Sequence, residues 1–195
     1  MLRRTAGLWG ALGFAGAAVL AARHQPGYSH RRSHVSGLAS HGQESAAFMI
    51  PGFVALAAAQ GTLSAPTPNV RRLACAAAAT TLVAGLVRVS DPSCPQPFDP
   101  GATTSDLGHA AASISTFALW AAMPIVAARD KTTGWYHRFA RAMVVPTVAA
   151  FVCAGATTQL DSTFKGIAQR VFLALVFLFQ AATGLALGTT DTLSA

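Results

Sequence analysis

The chain has 195 residues, of which 52% are hydrophobic and only 11% are charged. A soluble domain carries about 25% charged residues, so the composition excludes an ordinary soluble protein and indicates one membrane domain over residues 1–195. The net charge of +7 does not indicate a nucleic-acid partner, because the basic residues flank apolar segments and do not cluster on one element.

Six apolar runs are long enough to cross a bilayer and predict an all-α, six-transmembrane-helix bundle. The predicted helices cover about residues 6–22, 46–63, 73–89, 107–128, 142–158 and 167–187. The first run follows MLRR, as the apolar core of a signal peptide would. However, a glycine recurs at every third position from Gly7 to Gly16, which is typical of helices that pack closely in membranes. We therefore expect this run to be retained as the first helix.

Basic residues favour the cytoplasmic side of a membrane and predict the orientation. With the N-terminus inside, the inner segments hold eight basic residues: Arg3, Arg4, Arg71, Arg72, Arg129, Lys131, Arg138 and Arg141. The outer segments hold six, Arg23, Arg31, Arg32, Arg88, Lys165 and Arg170, together with Glu44, Asp91, Asp99, Asp106 and Asp161. The inner loop 129–142 is short, basic and aromatic. We expect an N-in, C-in topology.

This topology places most ionisable and polar side chains near the outer ends of the helices. The candidate ligand-binding residues are His41, Glu44, Asp91, His109, Gln169 and Arg170. Asp106, His109 and Ser113 are three and four residues apart, so they lie on one helix face. Polar groups at membrane depth turn toward the bundle interior. We therefore expect an outward-facing polar pocket.

Arg170 is the most informative of these candidates. A cation just inside a helix N-terminus opposes the helix dipole, so the side chain is expected to find a negative partner. Asp91 and Glu44 are the best-placed carboxylates for an ion pair that joins helices. The alternative is that Arg170 clamps a phosphate or carboxylate head group.

No residue is assigned a catalytic role. His109 with Asp106 or Asp91 is a candidate for general-base chemistry, although a hydrogen-bonded histidine near a helix start is the simpler interpretation. The histidines of the first outer loop, His24, His30, His34 and His41, match no defined metal site. We expect a solvated loop there, no metal and no other cofactor.

The segment 90–104 is the predicted outer cover of the pocket. Pro92, Pro95, Pro97 and Pro100 disfavour a helix and favour a stiff, extended loop. Cys94 is the only loop thiol, since Cys75 and Cys153 fall inside apolar runs. We expect no disulfide within the chain.

Several short motifs occur in a characteristic order along the chain. SGLASHGQE precedes helix two, VSDPS follows helix three, a histidine opens helix four, GWYHR precedes helix five and GIAQR opens helix six. Over residues 6–187 this order resembles the bacterial and archaeal membrane family known as domain of unknown function 998. The resemblance implies a six-helix inner-membrane protein without an assigned activity. It also implies that Asp91, His109, Gln169 and Arg170 form the polar signature of the family.

We predict a binding or accessory protein of the cell envelope, in the cytoplasmic (inner) membrane of a bacterium. Its outer pocket would hold the head group of a membrane lipid or another amphiphile, or the bundle would be a subunit of a larger membrane complex. One alternative is an intramembrane, metal-dependent lipid hydrolase. Another is a haem or quinone electron-transfer unit with His41 and His109 as axial ligands. A transporter has little support, because no charged residue lies at mid-membrane depth.

Overall fold

A computed structural model describes residues 2–94, 99–130 and 134–186 of the chain. Four residues that the sequence interpretation used lie outside these ranges: Pro95 and Pro97 of the predicted cover, Lys131, and Leu187 at the predicted end of helix six. The described residues form six α-helices and one 3₁₀ helix and contain no strand. The all-helical prediction is therefore confirmed.

The helices follow the predicted order. They are α1 (Leu2–Arg23), α2 (Ala46–Thr62), α3 (Pro68–Leu86), α4 (Thr104–Arg129), α5 (Gly134–Gln159) and α6 (Lys165–Ala186), with the 3₁₀ helix at Val35–Ala39. α3 begins earlier than predicted because the hydroxyl of Thr67 caps it, accepting a 3.3 Å hydrogen bond from the backbone N–H of Val70. α5 also begins early, since its first turns bury Tyr136 and Ala140 on one face.

The six helices form a closed ring. Each helix packs against its neighbours in sequence, and α6 closes the ring against α1. At one end, the backbone N–H of Ser64 donates to the carbonyl of Arg3 at 3.4 Å, and Asn69 donates to Asp130 at 3.0 Å. We call this the basic end. The opposite end carries the connecting residues 24–45, 87–94, 99–103 and 160–164, and we call it the loop end.

Aromatic side chains fill the middle of the ring. Phe172 of α6 is fully buried, and its ring centroid lies 5.1 Å from that of Phe117 on α4. Phe14 of α1 meets Phe53 of α2 edge-on, with centroids 5.2 Å apart. Each such pair stabilises a fold by about 0.5–1.5 kcal/mol beyond its buried area. The helices on opposite sides of the ring are thus joined through one aromatic core.

The glycines of α1 serve two different contacts. A Cβ on Gly7 would lie 2.6 Å from the carbonyl oxygen of Gln180, so α1 and α6 approach closely there. Gly10 faces Ala59 of α2, whereas Gly16 has no neighbour within 4 Å. Three residues turn an α-helix by about 300°, so each glycine of the repeat lies about 60° around the helix from the one before it. The four glycines therefore do not all face the same neighbouring helix. The predicted close packing therefore applies to the first two glycines of the repeat.

Four of the helices, α1, α4, α5 and α6, are long and apolar enough to cross a membrane by length and composition. α2 is apolar but shorter, with 17 residues. Large apolar side chains also face outward along these helices, including Ile114 (60% exposed) and Val145 (74% exposed). Exposed apolar surface of this extent marks contact with lipid or another protein. The chain is a multi-pass membrane protein.

Candidate functional site

The connection from α1 to α2 folds back over the loop end of the ring. Its 3₁₀ helix buries Val35 and Leu38 against the core. The backbone N–H of Val35 donates a 2.8 Å hydrogen bond to Oε1 of Gln169 on α6. The expectation of a solvated loop agrees with the exposed His24, His30 and His41. It is wrong for His34 and for the apolar VSGLA segment, which pack against the ends of the helices.

Arg170 fastens this folded loop to α6. Its Nη1 donates to the carbonyl oxygens of His30 (2.7 Å), Ser33 (3.1 Å) and Gly166 (2.8 Å). Its Nη2 donates to the hydroxyl of Tyr28. Within the part of the chain that the structure describes, Arg170 contacts no carboxylate. The expected ion pair is thus replaced by loop carbonyls, which satisfy the guanidinium.

Arg88 holds the same loop from the end of α3. Its Nε donates to the carbonyl of Ala39 at 2.8 Å, and its Nη2 donates to the carbonyl of Ser40 at 2.5 Å. Hydrogen bonds from a charged donor are about twice as strong as neutral ones. The two arginines together fix the loop over the ring.

Three predicted ligand-binding residues lie at the surface of the loop end. The side chains of His41, Glu44 and Asp91 are all exposed. Asp91 accepts a 2.8 Å hydrogen bond from the backbone N–H of Ser93, and the hydrogen bonds from Ser93 lower the pKa of the carboxyl. The backbone N–H of His41 donates to the carbonyl of Val89. These three residues therefore do not line the cavity described below.

Asp106 is buried and organises the start of α4. Its carboxylate accepts hydrogen bonds from the backbone N–H and the hydroxyl of Ser90, both at 2.7 Å. It accepts two more from the backbone N–H (2.8 Å) and the hydroxyl (2.7 Å) of Thr103, which completes a capping box. A carboxylate has about four lone-pair positions. Three of the four bonds end on Oδ2 and one on Oδ1, so the carboxylate caps α4 and keeps one lone pair on Oδ1.

His109 lies one turn further along α4 and is also buried. Its Nδ1 is 2.8 Å from the carbonyl oxygen of Ala84 and 2.9 Å from that of Val87. Because carbonyls only accept hydrogen bonds, we assign the ring proton of neutral His109 to Nδ1. Nε2 then carries a lone pair, and the hydroxyl of Ser113, 3.1 Å away, donates to it.

A cavity of about 380 Å³ adjoins this histidine, between α4, α5 and α6 and beneath the folded loop. Its polar lining includes His34, Ser36, Cys94, Asp106, His109, Ser113, Thr158, Gln159 and Gln169. Phe117 and Phe151 line its apolar part. Ile114 of α4 and Gly155 of α5 also line it and are exposed. The cavity therefore opens between α4 and α5.

His34 is a cavity residue that the sequence interpretation assigned to a solvated loop. The hydroxyl of Thr158 donates to the carbonyl of Ala154 at 2.7 Å, so it accepts the weak 3.4 Å contact from Nε2 of His34. Burial lowers the pKa of His34 to about 4, and the charge of Lys165 acts in the same direction. His34 is therefore neutral near pH 7.

Cys94 closes the cavity from the segment after α3. Its side chain is buried, and its Sγ lies 3.6 Å from the hydroxyl oxygen of Ser36. Burial raises the pKa of the thiol to about 11, so the thiol is uncharged at neutral pH. Neither Cys94 nor the exposed Cys75 and Cys153 forms a disulfide.

A second cavity of about 320 Å³ lies between α1 and α6. Its lining is mostly apolar and includes Phe14, Leu173 and Phe177. His30 and Arg170 line its polar part. Arg170 therefore lines this second cavity, whereas His109 lines the first. The prediction that these two residues share one pocket is not met.

The described ranges contain no group of three or more His, Cys, Asp and Glu residues placed to hold a metal ion. His41 is exposed at the surface while His109 is buried. The two predicted axial ligands therefore do not share a cavity that would hold a haem.

The sequence model of the family described as "Protein of unknown function (DUF998)" matches residues 8–186. The matched region runs from the first turns of α1 to the end of α6. No curated protein and no solved structure matches the chain.

Proposed function

The chain belongs to the DUF998 family of proteins of unknown function, and for this member we propose a membrane protein that binds an uncharged amphiphile. The binding site is the cavity between α4 and α5. The amphiphile places its head group among the polar residues beneath the folded loop. Its hydrocarbon tail lies against the apolar residues toward the membrane interior.

The character of the lining supports this proposal. Apart from the carboxylate of Asp106, which accepts hydrogen bonds from Ser90 and Thr103, the polar part offers neutral hydrogen-bonding groups, including the hydroxyl of Ser113, the amide of Gln169 and the imidazole of His34. Phe117 and Phe151 form the apolar part. A site of this kind suits a ligand with one polar and one apolar end.

The position of the charges argues against an anionic head group. Arg170, the predicted phosphate clamp, donates into loop carbonyls and lines the other cavity. The described residues that line the proposed site include no Arg or Lys. Since an unpaired charge is costly to bury, a phosphate would lose hydration there without gaining a partner. A hydroxyl or ester group, as in a neutral glycerolipid, fits the available donors and acceptors.

The size of the cavity indicates how much of the ligand it encloses. Ligand sites span about 300–1,000 Å³, and the volume of about 380 Å³ is near the lower limit. The head group and the first carbons fill the cavity. The rest of the tail leaves between Ile114 and Gly155 and lies in the surrounding lipid.

The topology in this proposal is six crossings with both termini in the cytoplasm of a bacterial cell. α2 and α3 stand between α1 and α4 in the ring and cross the membrane beside them. The basic end presents exposed cations: Arg3, Arg72, Arg129, Arg138 and Arg141. At the loop end Arg23, Arg31 and Arg32 are also exposed, whereas Arg88 and Arg170 donate into carbonyls and Lys165 pairs with Asp161 at 2.6 Å. Among the described residues, the count of exposed cations is therefore five at the basic end against three at the loop end. The exposed cations favour the basic end as the cytoplasmic side.

The test is lipid retention by the full chain purified in mild detergent. Mass spectrometry identifies retained lipids, and binding of tritiated 1-O-hexadecylglycerol measures affinity for a neutral head group. Gly155→Leu places a side chain at the cavity mouth, where an added Cβ meets nothing within 4 Å. Gly16→Leu, on an exposed part of α1 with equal space, is the matched control.

Wild type and Gly16→Leu should retain neutral glycerolipid and bind the ether lipid equally. Gly155→Leu should bind it at least about tenfold more weakly, which corresponds to about 1.4 kcal/mol. Preferential retention of anionic phospholipid, or unchanged binding by Gly155→Leu, contradicts the proposal.

A further inference from the structure

We propose that Ser113 and His109 are the nucleophile and the general base of an esterase site that cleaves an uncharged lipid ester held in the cavity. This inference rests on the proposed function, because it uses the same cavity and the same class of ligand. It adds a reaction and assigns the two residues that carry it.

The first support is the geometry of the pair. The Oγ of Ser113 lies 3.1 Å from Nε2 of His109, within the reach expected for a nucleophile and its base. Both side chains line the cavity. Because Nδ1 carries the proton, the lone pair of Nε2 is directed at the serine hydroxyl and can take its proton.

The second support is the group that orients the base. In many serine hydrolases a carboxylate fixes the histidine tautomer, and here the carbonyls of Ala84 and Val87 do so. Both carbonyls belong to the C-terminal end of α3. The C-terminus of a helix carries about half a negative charge. That partial charge stabilises the imidazolium that forms when His109 accepts a proton.

The third support is a contrast with other hydroxyls on the same helices. Thr116 and Thr158 donate to the carbonyl four residues earlier, at 2.9 and 2.7 Å, which is the usual arrangement within a helix. The described contact of the Ser113 hydroxyl is with His109 instead. Among the described lining residues, Ser113 thus carries the hydroxyl that donates to a histidine, whereas the hydroxyl of Thr158 accepts from His34.

The reaction proceeds in two steps, acylation of Ser113 and hydrolysis of the acyl-serine. Oγ of Ser113 bonds to the ester carbonyl carbon while its proton moves to Nε2 of His109. The ester C–O bond then breaks, and Nε2 returns the proton to the departing alkoxide, which leaves as the alcohol. Water next attacks the acyl-serine with His109 again as base, releasing the carboxylic acid and restoring the hydroxyl.

Gln169 lines the same cavity as Ser113 and is the amide donor that we assign to the carbonyl oxygen. Its Oε1 is held by the backbone N–H of Val35, which fixes the orientation of the amide. Its amide N–H groups are then available to the developing oxyanion. A fixed neutral donor of this kind supplies oxyanion stabilisation in a dry site.

The test uses hexadecyl fluorophosphonate, an uncharged single-chain probe, with the full chain in detergent micelles. Attack by a serine forms an O–P bond and releases fluoride. Ser113→Ala removes the nucleophile, and Ser115→Ala is the matched control, since Ser115 is exposed on the same helix. His109→Asn keeps a side-chain N–H near the Nδ1 position and so preserves the contact with α3, but it has no base at the Nε2 position.

Peptide mass spectrometry should find the phosphonyl group on Ser113 in wild type and in Ser115→Ala. Ser113→Ala should remain unlabelled, and His109→Asn should react about 100-fold more slowly, as expected for loss of a general base. Wild type should also release fatty acid from a monoacylglycerol, and Ser113→Ala should not. Equal labelling of wild type and Ser113→Ala overturns the proposal.

Binding of the ether lipid 1-O-hexadecylglycerol separates this proposal from the proposed function, since an ether cannot be cleaved by acyl transfer. If wild type and Ser113→Ala both bind the ether lipid but Ser113 does not react, the esterase proposal fails and lipid binding stands. If Ser113 reacts with the probe but the ether lipid does not bind, the assignment of Ser113 as nucleophile is supported and the proposal of a neutral-lipid site is contradicted.

Discussion

The side-chain oxygen of Gln169 accepts a hydrogen bond from the backbone N–H of Val35, a residue 134 positions earlier in the chain. Both residues are buried. The contact joins α6 to the 3₁₀ helix of the first loop and positions that loop above the cavity. This side-chain amide therefore acts with Arg88 and Arg170 in holding the first loop over the ring.

Replacing Gln169 with Leu should destabilise the protein by about 1–3 kcal/mol, because the N–H of Val35 stays buried without an acceptor. Thermal unfolding in detergent measures the loss, and limited trypsin digestion after Arg31 and Arg32 should become faster. Gln159→Leu is the control, since Gln159 lines the same cavity and is exposed. Equal effects of the two substitutions would show that the hydrogen bond does not hold the loop.

Asp106→Asn should also destabilise the protein, again by about 1–3 kcal/mol. An amide has one acceptor oxygen and an NH₂ group, which would face the donors of Ser90 and Thr103. The midpoint of denaturant unfolding is the measurement. Asp91→Asn, at an exposed carboxylate of the same end, should change the midpoint far less. An Asp106→Asn variant with the same unfolding midpoint as wild type would contradict the capping role.

The stability of the protein should fall in mild acid because of His34. Its pKa is lowered to about 4 in the folded protein, whereas an unfolded histidine titrates near pH 6.5. Between these values the unfolded chain binds a proton that the folded chain does not. The loss therefore begins below about pH 6.5 and reaches about 3 kcal/mol near pH 4. Above pH 7 the free energy of unfolding does not change with pH because of His34, since the residue is neutral in both the folded and the unfolded chain.

Melting temperatures measured from pH 7.5 to 4.5 test this prediction. His34→Gln should flatten the pH dependence, while His41→Gln, at an exposed histidine, should leave it unchanged. The same slope in wild type and His34→Gln would show that another group causes the acid sensitivity.

Labelling of introduced cysteines tests the orientation of the bundle. In a background where alanine replaces Cys75, Cys94 and Cys153, Thr163→Cys marks the loop end and Arg138→Cys marks the basic end. Both native residues are exposed. A membrane-impermeant maleimide should label the first variant in intact cells and the second only after permeabilisation. The reverse pattern would place the cavity on the cytoplasmic side.

Helix number and order were predictable because runs of apolar residues have one dominant solution in a membrane. The start of α3 differs from the prediction because the charges of Arg71 and Arg72 favour a helix boundary after them, although Thr67 and Pro68 form a recognisable helix start. His109 was identified by its spacing from Asp106. The partners of Arg170 were not predictable, since backbone carbonyls carry no sequence signal. The burial of His34 was not predictable either, because it depends on how the first loop folds over the helices.

The contacts of the first loop with α6 also constrain the order of assembly. The loop leaves the ribosome early and can meet Arg88 once α3 is made, yet two further groups that fix it, Gln169 and Arg170, are among the last to be synthesised. During biosynthesis the early helices therefore wait with their connecting segment only partly anchored. A nascent chain that stops after α5 lacks the contacts of Tyr28, His30 and Val35 with α6, so the last helix completes the attachment of the first loop.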